Sequence, residues 1–513
     1  MNGPEPTRPT DERAPGWTAR GIDVPLQRDG IARVVRHFLY YLPTRGLPAV
    51  AGLVVLPFLT RSLSTSEFGI LALAQTLISL GWTVTGGWLG AAVVREFSGH
   101  AARGELGVFS RTLARGMRWS FLMLLVFSGG VVLFGALNNG MRPVAPFVVI
   151  ACVGQILQNI SVSLLVAKLR PLIYATLETS CRVGGIALGL VLLKQGHGVP
   201  GYIAGLGIVS TIVGAIALLV AWPRAHGAPA TTSADVRRWL IYGFTLSAAG
   251  IALWALSFID RYLLSAMTST SDVGVYAVGN LIGDKFISLP LLSFLAAANP
   301  LIINHFERHG PEHVEQQLFR YCRVLFIIGA PMLGFVFAFS GRIIPVATGS
   351  SSYGAALHVA WLISIGSFLF VLGSLAEVGI ILSRRLNPIL WASLIGLASN
   401  VIANVVLIPR LGILGAAIAT PVGTGTFLAA IVWWARLTMP LRWPVTTILQ
   451  SAAAATVGYA VARALLAGVP GELAAPLTAG AVGLVAYGGV LTGLHRLLPQ
   501  RPLSPRRGPS SAP

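Results

Sequence analysis

The chain has 513 residues, of which 54% are hydrophobic and only 11% charged, with a mean hydropathy of +0.74. A soluble globular surface does not tolerate such a composition, so the sequence reads as an all-α polytopic membrane protein. The formal charge of +19 would suggest a nucleic-acid partner only if the basic residues formed a patch; they lie in short stretches between apolar runs, which excludes nucleic acid and fits a cytoplasmic loop bias.

Residues 1–37 are rich in Pro and Arg with no apolar core, so they read as a disordered cytoplasmic tail and not as a signal peptide. A spanning helix needs about twenty apolar residues, and fourteen candidates follow. The first six cover 38–60, 67–93, 117–137, 144–167, 172–193 and 201–222. The next six cover 239–264, 273–303, 324–339, 355–382, 389–407 and 411–434, and a last pair covers 445–466 and 473–494. With the N-terminus inside, most of the 37 Lys and Arg residues fall in the tails and inner loops. An odd error in the count would scramble that alternation, so both termini are expected on the cytoplasmic side. The inner stretches 95–118 and 305–323 read as amphipathic helices on the cytoplasmic surface. Outer loops are short and leave no room for a separate catalytic domain.

One pattern occurs twice. Leu59-Thr-Arg61, a short turn and Ser66-Glu67-Phe-Gly69 resemble Asp260-Arg261-Tyr262 followed by Asp272-Val-Gly274, a match that sets Arg61 beside Arg261, Glu67 beside Asp272 and Gly69 beside Gly274. Copies offset by six helices share one orientation. This predicts two parallel six-helix repeats around a central cavity, residues 38–222 and 239–437, joined by a cytoplasmic linker at 223–238. The pair at 438–494 should pack outside that core, before a cytoplasmic tail at 495–513.

Charges within the spans mark the candidate site, because an ionisable group at the bilayer centre costs roughly 2.5–3.5 kcal/mol on insertion scales and so faces protein or water. The cationic candidates for an anionic substrate are Arg45, Arg261, Lys285, Arg61 and Arg182, since guanidinium forks match phosphate oxygens. The candidates for ion coupling are Glu377, Asp260, Asp284 and Glu178. Each also has a structural reading. Glu178 and Arg182 stand four apart and can neutralise each other; Asp260 and Arg261 can brace the outer interface; Arg45 can snorkel to the inner surface. Asp284 and Lys285, adjacent and so about 100° apart on a helix, are not expected to turn toward one partner. Glu377 has no basic neighbour one turn away and must find a distant partner or carry a proton.

No catalytic constellation, cofactor motif or metal spacing is present. Cys152, Cys181 and Cys322 read as buried apolar residues. His305, His309 and His313, four apart in an inner stretch, read as a solvated face and not as a metal site. Without a Walker loop the chain does not itself hydrolyse ATP.

The segments Arg61-Ser-Leu-Ser-Thr-Ser-Glu67-Phe-Gly69, Asp260-Arg261-Tyr-Leu-Leu, Val273-Gly-Val-Tyr276-Ala and Leu407-Ile-Pro409-Arg410-Leu-Gly412-Ile-Leu-Gly415 resemble the polysaccharide exporter branch of the multidrug/oligosaccharidyl-lipid/polysaccharide (MOP) flippase superfamily, the Wzx-like O-antigen flippases of lipopolysaccharide synthesis. The resemblance implies alternating-access export of an undecaprenyl-pyrophosphate-linked oligosaccharide across the bacterial inner membrane, with membrane lipids, a polysaccharide polymerase and chain-length machinery as partners. It further implies that Arg45, Arg261 and Lys285 hold the pyrophosphate. Three alternatives stay open: a peptidoglycan lipid II flippase, a cation-coupled drug antiporter, which would look for a carboxylate in the first helix where Arg45 stands, and a membrane polymerase or ligase, which would need a long catalytic outer loop.

Overall fold

The computed structural model describes residues 51–52, 54–168, 170–223, 233–383, 387–437, 439–468 and 474–497. Among them the chain forms helices and no strand. Residues 54–62 belong to the first helix, α1. Next come α2 (Thr65–Thr85), α3 (Gly87–Ala102), α4 (Leu106–Leu137), α5 (Ala145–Ala167), α6 (Pro171–Leu192) and α7 (Gly198–Ala221). The second half holds α8 (Ser233–Met267), α9 (Thr270–His309), α10 (Pro311–Thr348), α11 (Ala356–Leu382), α12 (Asn387–Leu411) and α13 (Ile413–Ala435), and α14 (Val445–Gly468) and α15 (Ala474–Leu497) close the chain.

Eleven stretches among the described residues are long and apolar enough to cross a membrane, with Leu172–Ala221 counted as one. That stretch turns back on itself at Gly196 and Gly198, whose φ angles of 89° and 54° suit glycine alone. Separating α6 from α7 makes twelve among the described residues, close to the expected fourteen. One expected span is broken: Gly86 ends α2 and opens α3, and the Trp82 ring lies where a Cβ at Gly86 would stand.

The two expected surface helices are corrected. Residues 106–118 open a continuous 32-residue α4, and residues 311–323 open a 38-residue α10. Both start after a glycine of positive φ, Gly104 at 71° and Gly310 at 77°. At about 1.5 Å per residue these helices exceed a hydrocarbon core of about 30 Å, so their polar first turns project beyond it and need not lie flat.

The halves repeat each other in packing. α5 and α6 both pack on α7 as α11 and α12 both pack on α13, and α4 lies against α5 as α10 lies against α11. Small residues set these close approaches: Gly205 meets the backbone of Gly189, and Gly415 meets that of Leu407. The last pair packs outside this core, on α10. Arg342 donates to the Leu466 carbonyl at 3.0 Å, and the Tyr487 hydroxyl donates to the Ile327 carbonyl at 2.6 Å.

Candidate functional site

The halves meet where α2 crosses α9. Both helices begin on a serine cap. Ser64 accepts from the Glu67 amide, and the Glu67 carboxylate reaches back to the Ser64 amide at 2.8 Å. Ser269 accepts from the Asp272 amide at 3.1 Å. Glu67 and Asp272 thus satisfy the open amides of helix starts. The turn just before these caps is equally short in both copies, which fixes one register: Ser64 answers to Ser269, Thr65 to Thr270, Ser66 to Ser271 and Gly69 to Gly274.

In that register the crossing is self-complementary. Thr65 pairs with Ser271 through hydroxyls 2.7 Å apart, and Ser66 pairs with Thr270 at 2.6 Å; exchanging the two copies turns one contact into the other. A Cβ on Gly69 would strike the Thr270 carbonyl, and one on Gly274 would strike the Thr65 carbonyl. Three further contacts join the halves nearby: Thr60 donates to the Thr348 carbonyl at 3.1 Å, Thr76 and Tyr262 share a hydrogen bond of 2.7 Å, and Phe68 meets Tyr353 edge to face. Each such bond contributes about 0.5–1.5 kcal/mol net. The latch is therefore tight in shape, and no single polar contact in it is strong.

At the opposite end of α8 the halves touch again. Gly243 lies against the Trp88 backbone, and Trp239 packs on Phe109 and His100.

The same register corrects the match of Arg61 with Arg261. Carried back along α1, it sets Leu56 opposite Arg261 and Arg61 opposite Ala266. Leu56 is buried in the core and Arg61 is exposed, with its guanidinium beside Gly349 at the latch. Among the described residues the buried arginine therefore belongs to the second half.

Arg261 lies on α8 about 9 Å below the end of that helix, taking 1.5 Å per residue. It is 9% exposed. Its guanidinium donates to Asn280 Oδ1 at 2.8 Å and stands 5.1 Å over the Phe258 ring, while Nε is buried without a partner. Asp260 does not neutralise it through a side-chain ion pair. Its carboxylate accepts from the Tyr276 hydroxyl, from Thr420 at 3.3 Å and from the Arg261 backbone amide at 2.9 Å. The expected acid and base brace is thus two separate networks: Asp260 ties α8 to α9 and α13, and Arg261 ties α8 to α9.

Asp284 and Lys285 turn toward each other, and among the described residues no third residue is bonded by both. Lys285 Nζ donates to Asp284 Oδ2 at 2.7 Å, and Ser367 on α11 donates to Asp284 Oδ1 at 2.9 Å. Arg182 and Glu178 form their pair at 3.1 Å, and Gln158 donates to the other Glu178 oxygen at 3.0 Å. Glu377 Oε1, on α11, is buried without a partner. Arg45 lies outside the described residues. His305 and His313 bring their rings within 5.9 Å, and among the described residues no group of three or more His, Cys, Asp or Glu could hold a metal.

Asn280, Thr420 and Ser367 went unread in the sequence. A signal for the first was present: Tyr276, Asn280, Asp284 and Ser288 recur every fourth position in an apolar span, which puts them on one face of α9.

The fold is that of the MOP flippases, a class of membrane transporters. Lipid II flippase MurJ in an inward closed conformation superposes with a TM-score of 0.72 at 14% identity, covering 90% of this chain and 100% of that one. A Vibrio cholerae MATE transporter gives 0.57 at 15% identity over 80% and 98%. A MOP superfamily transporter from Pyrococcus furiosus, described as having a binding pocket of reverse polarity, gives 0.56 at 15% identity over 79% and 95%. The chain belongs to the family described as polysaccharide biosynthesis protein, whose model matches residues 34–303. No curated protein sequence matches it.

Proposed function

We propose that this transporter flips an undecaprenyl-pyrophosphate-linked oligosaccharide from the inner to the outer leaflet of the bacterial cytoplasmic membrane. One observation carries the reading: a buried guanidinium that forms no side-chain ion pair among the described residues, held by Asn280 and with Nε unbonded. A buried guanidinium with an unbonded donor is costly, and an anionic substrate that accepts from it removes part of that cost. Membership of a polysaccharide biosynthesis family supports a saccharide-bearing cargo, and Arg261 would grip the phosphates of its lipid carrier. The basic residues of the loops and tails favour cytoplasmic termini, and in that orientation the latch faces outward. Substrate then enters with the latch closed, and separation of α2 from α9 releases it outward. A polymerase and chain-length machinery would receive the product.

A second reading, a lipid II flippase, is favoured by the fit to every part of the MurJ chain, and its lipid also carries a diphosphate. A drug antiporter is disfavoured by the cationic site.

The test is reconstitution in vesicles with a fluorescent polyprenyl-diphosphate oligosaccharide, with lipid II, and with a cationic dye. Movement of the first lipid, and not of the dye, is expected. Movement of the dye alone would contradict the proposal, and movement of lipid II in preference would establish the second reading.

A further inference from the structure

Arg261 on α8 and Lys285 on α9 are in different states. Among the described residues Arg261 forms no side-chain ion pair, whereas Lys285 is closed on its own neighbour, Asp284, at 2.7 Å. The Asp284 carboxylate is pinned from a second helix by Ser367, while the Lys285 side chain is 41% exposed against 27% for Asp284. The acid is thus the fixed member of the pair and the amine the one free to move. An ion pair between consecutive residues of one helix joins no two elements, and Ser367 would tie α9 to α11 without it. Packing therefore does not explain why both charges stand at membrane depth. Asn280, which holds the Arg261 guanidinium, precedes Asp284 by four residues, about 6 Å along the helix. An anion on Arg261 that reaches past Asn280 would have to span roughly that length along the helix to meet the Asp284–Lys285 pair.

We propose that Asp284 is a resident stand-in for the second phosphate of a diphosphate substrate: it neutralises Lys285 in the empty transporter and is displaced when a diphosphate held by Arg261 reaches along α9. This rests on Arg261 being the anion grip. Two consequences follow. A monophosphate on Arg261 does not reach Lys285 and gains nothing from displacing Asp284, so the pair selects for diphosphates. After translocation Asp284 competes for Lys285 and speeds release, as a carrier requires; interactions that only tighten binding do not raise turnover.

The test is equilibrium binding of farnesyl diphosphate and farnesyl monophosphate to the purified full chain in detergent. Asp284→Asn should bind the diphosphate about fivefold more tightly and release it more slowly, the size set by a partly exposed ion pair. Monophosphate binding should stay within about twofold. In a Lys285→Gln background the gain from Asp284→Asn should vanish. Ser367→Ala keeps both charges but loosens the carboxylate, and should tighten diphosphate binding in the same direction by a smaller factor; it decides the matter if Asp284→Asn fails to fold. The proposal is overturned by unchanged or weaker diphosphate binding, by an equal gain for the monophosphate, or by a gain that survives Lys285→Gln. Arg261→Ala separates the two layers. If it binds the diphosphate like the wild type, the grip itself is wrong; if it loses binding while Asp284→Asn gains nothing, only the stand-in fails.

Discussion

Gly69 and Gly274 face each other where α2 crosses α9, so near that a Cβ on either would strike the backbone of the opposite helix. They hold the same place in the two copies, and the hydroxyl pairs Thr65 with Ser271 and Ser66 with Thr270 flank them. A motif that meets its own repeat across a pseudo-two-fold axis needs only small residues to do so.

The latch is open to direct control. Gly69→Val or Gly274→Val should hold α2 and α9 apart, raise thiol labelling of a Thr270→Cys reporter and lower flipping by more than about tenfold, the order expected when an overpacked contact costs 1–3 kcal/mol. Cysteines replacing Ser66 and Thr270, whose hydroxyls lie 2.6 Å apart, should form a disulfide on oxidation. Flipping should stop in the oxidised protein and return on reduction. Undiminished flipping by the crosslinked protein would show that the contact need not open.

Asp260 makes a stability prediction. Tyr276→Phe removes the hydroxyl that donates to a carboxylate 1% exposed, leaving part of a buried charge unsatisfied. Thermal unfolding in detergent should show a loss of about 1–3 kcal/mol. Tyr276→Phe in combination with Asp260→Asn should recover part of it; no recovery would mean the tyrosine acts by packing alone.

The Arg182 and Glu178 pair predicts a small effect. Arg182 is 53% exposed on its side chain, so the pair is worth less than about 1 kcal/mol. Replacing both with glutamine should leave flipping within about twofold of wild type. A larger loss would move Arg182 into the substrate site.

Glu377 predicts a dependence on driving force. Its Oε1 is buried on α11 without a donor, and intramembrane carboxyls in such settings serve proton relays. Flipping in vesicles should quicken with an imposed proton gradient in the wild type and lose that response in Glu377→Gln. Equal rates with and without a gradient in the wild type would remove Glu377 from coupling.

Much of the fold was legible because hydrophobic length and loop charge are one-dimensional signals. The helix limits 144–167, 355–382 and 445–466 differ from α5, α11 and α14 by at most two residues. The repeat was legible in Gly69 and Gly274 and in Glu67 and Asp272, because backbone contact and helix capping restrict the residues that fit. Arg61 misled for the converse reason. An exposed arginine at a helix end is under no packing constraint, and likeness of type said nothing of register. Side-chain partners were the least legible. Asn280, Thr420 and Ser367 act across helices, and polar residues of that kind show themselves in sequence only by their spacing along one face. The Lys285 and Asp284 pair escaped notice because adjacency puts Cβ atoms about 100° apart, while a long lysine side chain bends back over that angle.

The account depends above all on Arg261 gripping the phosphates of a lipid. The direct measurement is transbilayer movement of a polyprenyl-diphosphate oligosaccharide in vesicles holding equal amounts of folded wild-type and Arg261→Ala protein. The account predicts that Arg261→Ala falls to the rate of protein-free vesicles, with Arg261→Lys in between because an ammonium keeps the charge but not the fork. Movement at the wild-type rate in Arg261→Ala would contradict it.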